Sequence, residues 1–172
     1  MERKVTSRGA QWRKVEYGGA KWSRVEGEWT MFLGTYTPKL DDKGRFFLPA
    51  KFREQLASGL VITRAQDRCL AIWPTEAFLA DVANAATGPS TVRGVRDYQR
   101  MVSSGATDEL PDSQGRVTVP APLRAYAGLS KEIVVIGAFN RLEVWDAANW
   151  AEYSAAQEEA FAALDEGAPA VG

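Results

Sequence analysis

The hydrophobic and polar positions of the chain follow one pattern that occurs twice. Residues 59–74, GLVITRAQDRCLAIWP, contain an apolar run, a polar turn and a second apolar run that ends in Trp73. Residues 132–146, EIVVIGAFNRLEVWD, repeat this order and reach Trp145. Short runs rich in Val, Ile and aromatic residues, bounded by polar turns, are typical of β-strands. The pattern therefore predicts two similar β-hairpins, with both tryptophans in the core.

A second repeated segment precedes each predicted hairpin. Residues 41–53 are DDKGRFFLPAKFR and residues 112–124 are DSQGRVTVPAPLR, so Asp, Gly, Arg and Pro recur at one spacing, 71 positions apart. Asp and Gly favour a tight turn. Proline is favoured in the first turn of a helix because it lacks an N–H. Each unit is therefore predicted as strand, glycine turn, strand, short helix, strand, turn and strand.

Helices are predicted between the two units and after them. Residues 74–85 have an apolar face with Thr75 as N-cap, and residues 91–105 resume a helix after the TGPS break. A further amphipathic helix is predicted over residues 149–167. A unit of about 45 residues is too small to bury its own core. The two units must therefore share one core, either side by side or interleaved.

Composition excludes several functions. The chain has 172 residues, no histidine and one cysteine, Cys69, which is predicted to be a buried apolar group. The lack of histidine removes the commonest general base and transition-metal ligand, so no cofactor and no metal site are predicted. A lone cysteine rules out an internal disulfide and suits a reducing cytoplasm. No apolar run approaches the roughly 18 residues that a membrane helix needs, so no membrane partner is predicted.

The net charge of −1 hides an uneven distribution. Residues 1–30 carry seven basic and four acidic side chains, a balance of +3, and residues 31–150 carry fourteen and thirteen, a balance of +1. Residues 151–172 carry five acidic side chains and no basic one. A near-neutral central region is weak evidence for nucleic-acid binding, although oligomerisation multiplies the effect of a modest basic patch.

The repeated Asp and Arg allow two interpretations, which can both hold. In the structural interpretation, Asp41 and Asp112 accept turn N–H groups, and Arg45 and Arg116 bridge back to these carboxylates. In the functional interpretation, the turn aims an arginine whose planar fork suits guanine edges or phosphates.

A second group of arginines lies in the predicted helix at 91–105. Arg93, Arg96 and Arg100 are three and four positions apart and form one stripe. A solvated face, or pairing with Asp97 and Glu109, is the preferred interpretation, and phosphate contact is the alternative.

Residues 31–56 and 112–145 resemble the two halves of the MraZ family through a double pattern, Asp-x-x-x-Arg followed by Pro-Ala-x-x-Arg. The resemblance covers about residues 31–150. It implies an α+β, mainly β fold, in which two tandem AbrB-like β-α-β repeats share a swapped-hairpin, double-psi-like barrel core with connecting helices.

The resemblance also implies a function. It implies a bacterial transcriptional regulator that binds G-rich direct repeats in double-stranded DNA, about ten base pairs apart. It further implies assembly into a homo-oligomeric ring, control of its own gene and of the division and cell-wall gene cluster, and a cytoplasmic, nucleoid-associated location.

Position by position, the resemblance implies DNA contacts from both units. The residues concerned are Asp41, Lys43, Arg45, Lys51 and Arg53 in the first unit, and Asp112, Gln114, Arg116 and Arg124 in the second. Lys43 corresponds to Gln114, and Lys51 to Pro122, so the second unit is less basic. We therefore expect the first unit to dominate DNA binding.

The predicted organisation has five parts. They are a non-family extension at 1–30 that is expected to be disordered, a first AbrB-like repeat at 31–80, connecting helices at 81–106, a second AbrB-like repeat at 107–150, and an acidic C-terminal helix and tail at 151–172.

Three other functions stay open. An enzyme would need a deep cleft with carboxylates of raised pKa, and the sequence contains no nucleophile–base pair, phosphate loop or metal cluster. An AbrB-like antitoxin or assembly protein, without direct operator contact, would need a long disordered C-terminal arm that folds on a partner. An RNA-binding protein would expose aromatic side chains on a sheet face, whereas these strands are predicted to be buried.

Residues 1–30 match nothing in the family pattern and repeat Trp-x-x-Val-Glu at a ten-residue offset, so Met31 is a candidate start. Codon choice at five positions would place the tetranucleotide GTGG at coding bases 33, 43, 53, 63 and 73, a step of about one turn of B-DNA. These positions are Gln11, Val15, Gly18, Lys21 and Val25. We hypothesise that this segment encodes the protein's own operator. A tryptophan-rich peptide arm is the alternative.

This hypothesis predicts that a variant starting at Met31 binds the DNA encoding residues 1–30 as tightly as the full chain does, because the extension takes no part in binding. The nucleotide sequence of the gene tests the codons, and a gel-shift titration of both proteins tests the binding. Loss of binding by the shorter protein would contradict the hypothesis.

Overall fold

The computed structural model describes residues 12–17, 20–25, 28–29, 31–85 and 91–164. Its strands are β1 (Trp12–Tyr17), β2 (Ala20–Val25), β3 (Glu28–Trp29), β4 (Thr35–Tyr36), β5 (Arg45–Phe47), β6 (Leu60–Arg64), β7 (Leu70–Pro74), β8 (Thr107–Glu109), β9 (Arg116–Thr118), β10 (Ile133–Gly137) and β11 (Leu142–Asp146). Its α-helices are α1 (Arg53–Leu56), α2 (Thr75–Ala85), α3 (Arg93–Gly105), α4 (Ala121–Ala127) and α5 (Ala147–Ala162). Short 3₁₀ turns precede α1 and connect β6 to β7, at Ala50–Phe52 and Gln66–Arg68.

The central sheet interleaves the two units. It has six strands in the order β4-β10-β11-β7-β6-β8, and its neighbouring strands are antiparallel. Strand β4 of the first unit pairs with β10 of the second, and β8 of the second unit pairs with β6 of the first. Of the two arrangements that the sequence left open, the interleaved one is correct. The prediction of an α+β fold with two tandem units is confirmed.

The two units are related by an approximate internal twofold axis. Strands β5 and β9 pair antiparallel with Phe46 opposite Val117, which are equivalent positions of the 71-residue repeat. Strands β7 and β11 pair with Ala71 opposite Glu143, each two positions before the tryptophan of its hairpin. When equivalent residues of two units face each other in an antiparallel ladder, the twofold axis passes between them.

One hydrophobic core draws residues from both units. The short helices α1 and α4 bury apolar side chains in it, which include Leu56 and Leu123. The Phe52 ring packs against Phe32 and Tyr36, with centroids 5.1 and 5.4 Å away. Apolar burial of this kind is the main favourable term in folding. Because neither unit encloses this core alone, the core stabilises the interleaved arrangement.

The predicted burial of Trp73, Trp145 and Cys69 is confirmed. Burial raises the pKa of the Cys69 thiol to about 12, so the group is neutral at physiological pH. The Trp145 ring packs against Trp150 and Tyr153 of α5, with centroids 5.4 and 4.8 Å away. This aromatic cluster fixes α5 on the sheet.

Two local features differ from the sequence-based expectation. Helix α5 begins at Ala147, two residues earlier than predicted, because Asp146 caps it by accepting the N–H groups of Ala148 and Asn149 at 3.1 and 3.4 Å. Within 1–30, strands β1, β2 and β3 form a separate antiparallel sheet, where a disordered extension was expected. The predicted tail beyond residue 164 lies outside the described residues. None of the helices among the described residues is both long and apolar enough to span a bilayer.

Candidate nucleic-acid interface

The first repeated turn is organised by one carboxylate. Oδ1 of Asp41 accepts the backbone N–H groups of Lys43 and Arg45 at 2.9 and 2.8 Å. Oδ2 accepts Nε of Arg45 at 2.9 Å and lies 2.8 Å from its Nη2. The Gly44 N–H closes the turn by donating to the Asp41 carbonyl at 2.9 Å. The same side chain therefore shapes the turn and orients the guanidinium.

The second turn repeats this geometry. Oδ1 of Asp112 accepts the N–H groups of Gln114 and Arg116 at 2.9 and 3.0 Å, and Oδ2 accepts Nε of Arg116 at 2.7 Å. The Gly115 N–H donates to the Asp112 carbonyl at 2.8 Å. The bridge from arginine to aspartate that the structural interpretation predicted is present in both units, and it leaves the functional interpretation open.

Both carboxylates are held in the ionised form. The side-chain hydrogen bond from Arg45 is the main cause that lowers the pKa of Asp41, and the backbone N–H of Arg116, followed by its side chain, lowers that of Asp112. Because these pKa values lie below the ordinary 3.8, the ion pairs are intact at neutral pH. Their contribution to stability is present above the ordinary pKa and is lost as the pH falls through the folded-state values.

Strands β5 and β9 bring the two arginines to one surface. The middle residue of each strand is buried, so the residues on either side face outward. We call this surface the arginine face, and it consists of Arg45, Phe47, Arg116 and Thr118. Arg45 lies opposite Thr118, and Phe47 lies opposite Arg116. The two arginines are diagonal neighbours, which are roughly 7–8 Å apart in an antiparallel pair, and their side chains are 28% and 27% exposed.

Arg53 and Arg124 lie against the turns rather than on the arginine face. A Cβ atom added to Gly115 would lie 2.7 Å from Cδ of Arg53, and one added to Gly44 would lie 2.7 Å from Cζ of Arg124. Nε of Arg53 donates to the Leu48 carbonyl at 3.0 Å. Nε of Arg124 is buried and has no hydrogen-bond acceptor among the described residues. Each helix arginine therefore braces the turn of the other unit, and a DNA contact from either one stays a prediction.

The remaining predicted residues lie around these turns. Lys43 and Gln114 are exposed at equivalent turn positions. Lys51 is exposed on the 3₁₀ turn, with Nζ 5.7 Å from the centroid of the Phe52 ring. The asymmetry in basic charge between the two turns therefore lies at the surface.

The arginines of α3 form the solvated face that the sequence predicted. Arg93 and Arg100 lie 3.5 and 3.4 Å from the carboxylate of Asp97. Arg96 also has an interaction partner. Exposed pairs of this kind contribute little to stability.

Two surface depressions bear on the enzyme alternative, which needs a deep cleft with carboxylates of raised pKa. One, of about 580 Å³, is open to solvent beside Asp41, whose pKa is lowered rather than raised. The other, of about 360 Å³, is lined by residues that include Trp73 and Tyr126. Burial raises the pKa of Glu109, but this residue lines neither depression.

Sequence reasoning missed the exposure of Phe47. The strands were predicted to be buried, yet this side chain is 49% exposed on the arginine face. The period-two alternation of a strand contains the missing signal, because a buried Phe46 places Phe47 on the opposite side.

These features define a class of protein: two interleaved β-α-β units with one core and a duplicated turn in which an aspartate orients an arginine. Comparison of the chain with known protein families agrees with this class. The MraZ family model matches the chain twice, over residues 31–100 and 102–169, and its description likens the family to antitoxins. The chain belongs to the MraZ family.

Several relatives carry the name "Transcriptional regulator MraZ". The one from Cutibacterium acnes is 66% identical over 132 residues, which cover 77% of this chain and 93% of that protein. Those from a Nocardioides species and from Thermobifida fusca are 56% and 57% identical, over 78% and 79% of this chain and 94% and 95% of those proteins.

The turn geometry predicts that Gly44→Ala lowers the free energy of unfolding by roughly 1–2 kcal/mol, because alanine would have to adopt the left-handed conformation in which Gly44 has φ +75°. Gly115→Ala, at φ +77°, should behave alike. Gly94→Ala is the matched control, since an added Cβ meets nothing within 4 Å and alanine favours a helix. Chemical denaturation followed by tryptophan fluorescence measures all three. A Gly44→Ala protein as stable as the wild type would contradict the left-handed conformation assigned to Gly44.

Proposed function

We propose that this chain is a sequence-specific, DNA-binding transcriptional regulator that contacts duplex DNA through the arginine face. The observation that carries the proposal is the pair of guanidinium groups, each oriented by its own aspartate, on one outward face of a two-stranded ribbon. The major groove of B-DNA admits a two-stranded ribbon, and arginine forms paired hydrogen bonds with O6 and N7 of guanine. The name of the relatives, "Transcriptional regulator MraZ", supports the same class of function.

The proposed target is a set of G-rich direct repeats about ten base pairs apart, upstream of the chain's own gene and of the division and cell-wall gene cluster. The protein is proposed to act in the cytoplasm, associated with the nucleoid. The first unit is expected to dominate, since its turn carries Lys43 where the second carries Gln114. We call the duplex of the gene's upstream DNA, together with the segment that encodes residues 1–30, the operator probe.

The proposed active form is a homo-oligomeric ring. A near-neutral chain gains DNA affinity when several arginine faces bind neighbouring repeats together. Exposed apolar side chains on α2 and α3 support self-association, among them Leu79, Tyr98 and Met101. We expect light scattering at micromolar concentration to find little monomer, and a monomeric protein would count against the ring.

An antitoxin or assembly protein is the second candidate, because the family description likens MraZ to antitoxins. That function requires a long disordered arm at the C-terminal end. Residues 147–162 instead form α5, which packs on Trp145 through Trp150 and Tyr153. The DNA-binding function is therefore favoured.

We predict that Arg45→Ala nearly abolishes binding to the operator probe, whereas Arg116→Ala weakens it less. An arginine that contacts a base contributes on the order of 1–3 kcal/mol, and the loss is multiplied across an oligomer. Fluorescence anisotropy measures the affinity. Arg93→Ala, on α3, is the control and should bind as the wild type does.

Thermal unfolding must accompany these titrations. The proposal requires Arg45→Ala to remain folded, because its ion pair with Asp41 is partly exposed. A folded Arg45→Ala protein with wild-type affinity would contradict the proposal, and so would a protein in which this substitution removes the fold.

A further inference from the structure

The arginine face carries one large apolar side chain that the proposed function does not use. Phe47 is 49% exposed and follows Arg45 by two positions on the same face of β5. Its ring centroid lies 5.9 Å from the guanidinium carbon of Arg116, which is opposite it on β9. A phenyl ring therefore lies beside the guanidinium group of Arg116, on the same face as Arg45.

The fold does not require a phenyl ring at this position. The neighbouring Phe46 supplies the core contact of β5 and is 1% exposed. The internal repeat places Thr118 at the position equivalent to Phe47, 71 residues later, and the same ladder accommodates it. A small polar residue thus fits the ribbon at the equivalent place. The role of Phe47 is therefore distinct from core packing, which Phe46 provides.

The chemistry of the major groove suggests what the ring contacts. Among the groups that base pairs present there, the apolar one is the C5-methyl group of thymine, and phenylalanine is among the side chains that contact it. An arginine beside an aromatic face is attracted to the ring, which limits the orientations of both groups. An apolar ring held beside guanine-binding arginines suits a site in which a thymine adjoins a guanine.

We propose that Phe47 determines sequence specificity by contacting the 5-methyl group of a thymine next to a guanine bound by the arginine face. This inference rests on the proposed DNA-binding function. Because the equivalent residue is Thr118, the two halves of the face present different side chains, and the approximate twofold symmetry of the chain is broken at the DNA. The preferred site is therefore asymmetric, as a direct repeat is.

The test removes single methyl groups from the DNA. Each thymine of the operator probe is replaced in turn by deoxyuridine, which lacks only the 5-methyl group, and the affinity of the full chain is measured. We expect one thymine per repeat at which the replacement weakens binding about fourfold. This is the loss in affinity expected when one methyl group is no longer buried in the complex. In Phe47→Ser this difference should vanish, and binding to the thymine probe should fall by at least the same factor.

Two variants control for other effects. Phe47→Leu keeps an apolar side chain and should keep most of the sensitivity to the methyl group. Arg93→Ala, on α3 and outside the arginine face, should keep all of it. If Phe47→Ser does not fold, Phe47→Thr replaces it, because Thr118 already occupies the equivalent place in the ladder.

Several outcomes would overturn the inference. One is a Phe47→Ser protein that discriminates thymine from deoxyuridine as the wild type does. Another is a Phe47→Ser protein whose affinity falls by the same factor for the thymine probe and for the deoxyuridine probe. A third is a Phe47→Ser protein that loses affinity only for single-stranded DNA or RNA, which would mean that the Phe47 ring stacks on unpaired bases. The Arg45→Ala variant separates this inference from the proposed function on which it rests. If one of these outcomes occurs and Arg45→Ala loses binding, only the role of Phe47 fails. If Arg45→Ala binds normally, the proposed function fails.

Discussion

The short ladder between β5 and β9 is the constraint on which the rest of the structure depends. The Leu48 N–H donates to the carbonyl of Gly115 at 2.9 Å, and the Val119 N–H donates to the carbonyl of Gly44 at 2.8 Å. Each unit therefore anchors its strand on the turn of the other. Since a unit of this size cannot bury a core alone, the interleaving also decides where the core lies. The same ladder places Arg45 and Arg116 on a common face.

The aspartate in each turn matters for orientation more than for stability. Partly exposed ion pairs contribute little to the free energy of folding, because water solvates the separated charges almost as well. A guanidinium that is already fixed loses less side-chain freedom when it binds, which improves affinity for a rigid partner. The lowered pKa values of Asp41 and Asp112 keep this arrangement intact across the physiological pH range. The duplicated turn is thus a device for presenting two arginines in fixed directions.

Much of this organisation could be predicted from the sequence, and the remainder depends on contacts between the units. Local rules were sufficient for the hairpins, the glycine turns and the bridges from Arg45 to Asp41, because all are encoded within a few residues. The pairing of β4 with β10 and of β8 with β6 could not be predicted from residue order, because equivalent strands of the two units resemble each other as possible partners. The bracing positions of Arg53 and Arg124 were missed for the same reason. Strand alternation alone could have indicated the exposure of Phe47.

Arginine-selective labelling of the wild-type protein tests the central claim most directly. Phenylglyoxal modifies accessible guanidinium groups, and mass spectrometry gives the rate at each arginine with and without the operator probe. If the arginine face binds DNA, the probe slows the labelling of Arg45 and Arg116, and it leaves Arg93 and Arg100 on α3 unchanged. Protection of the α3 arginines, with unchanged labelling of Arg45 and Arg116, would contradict the account.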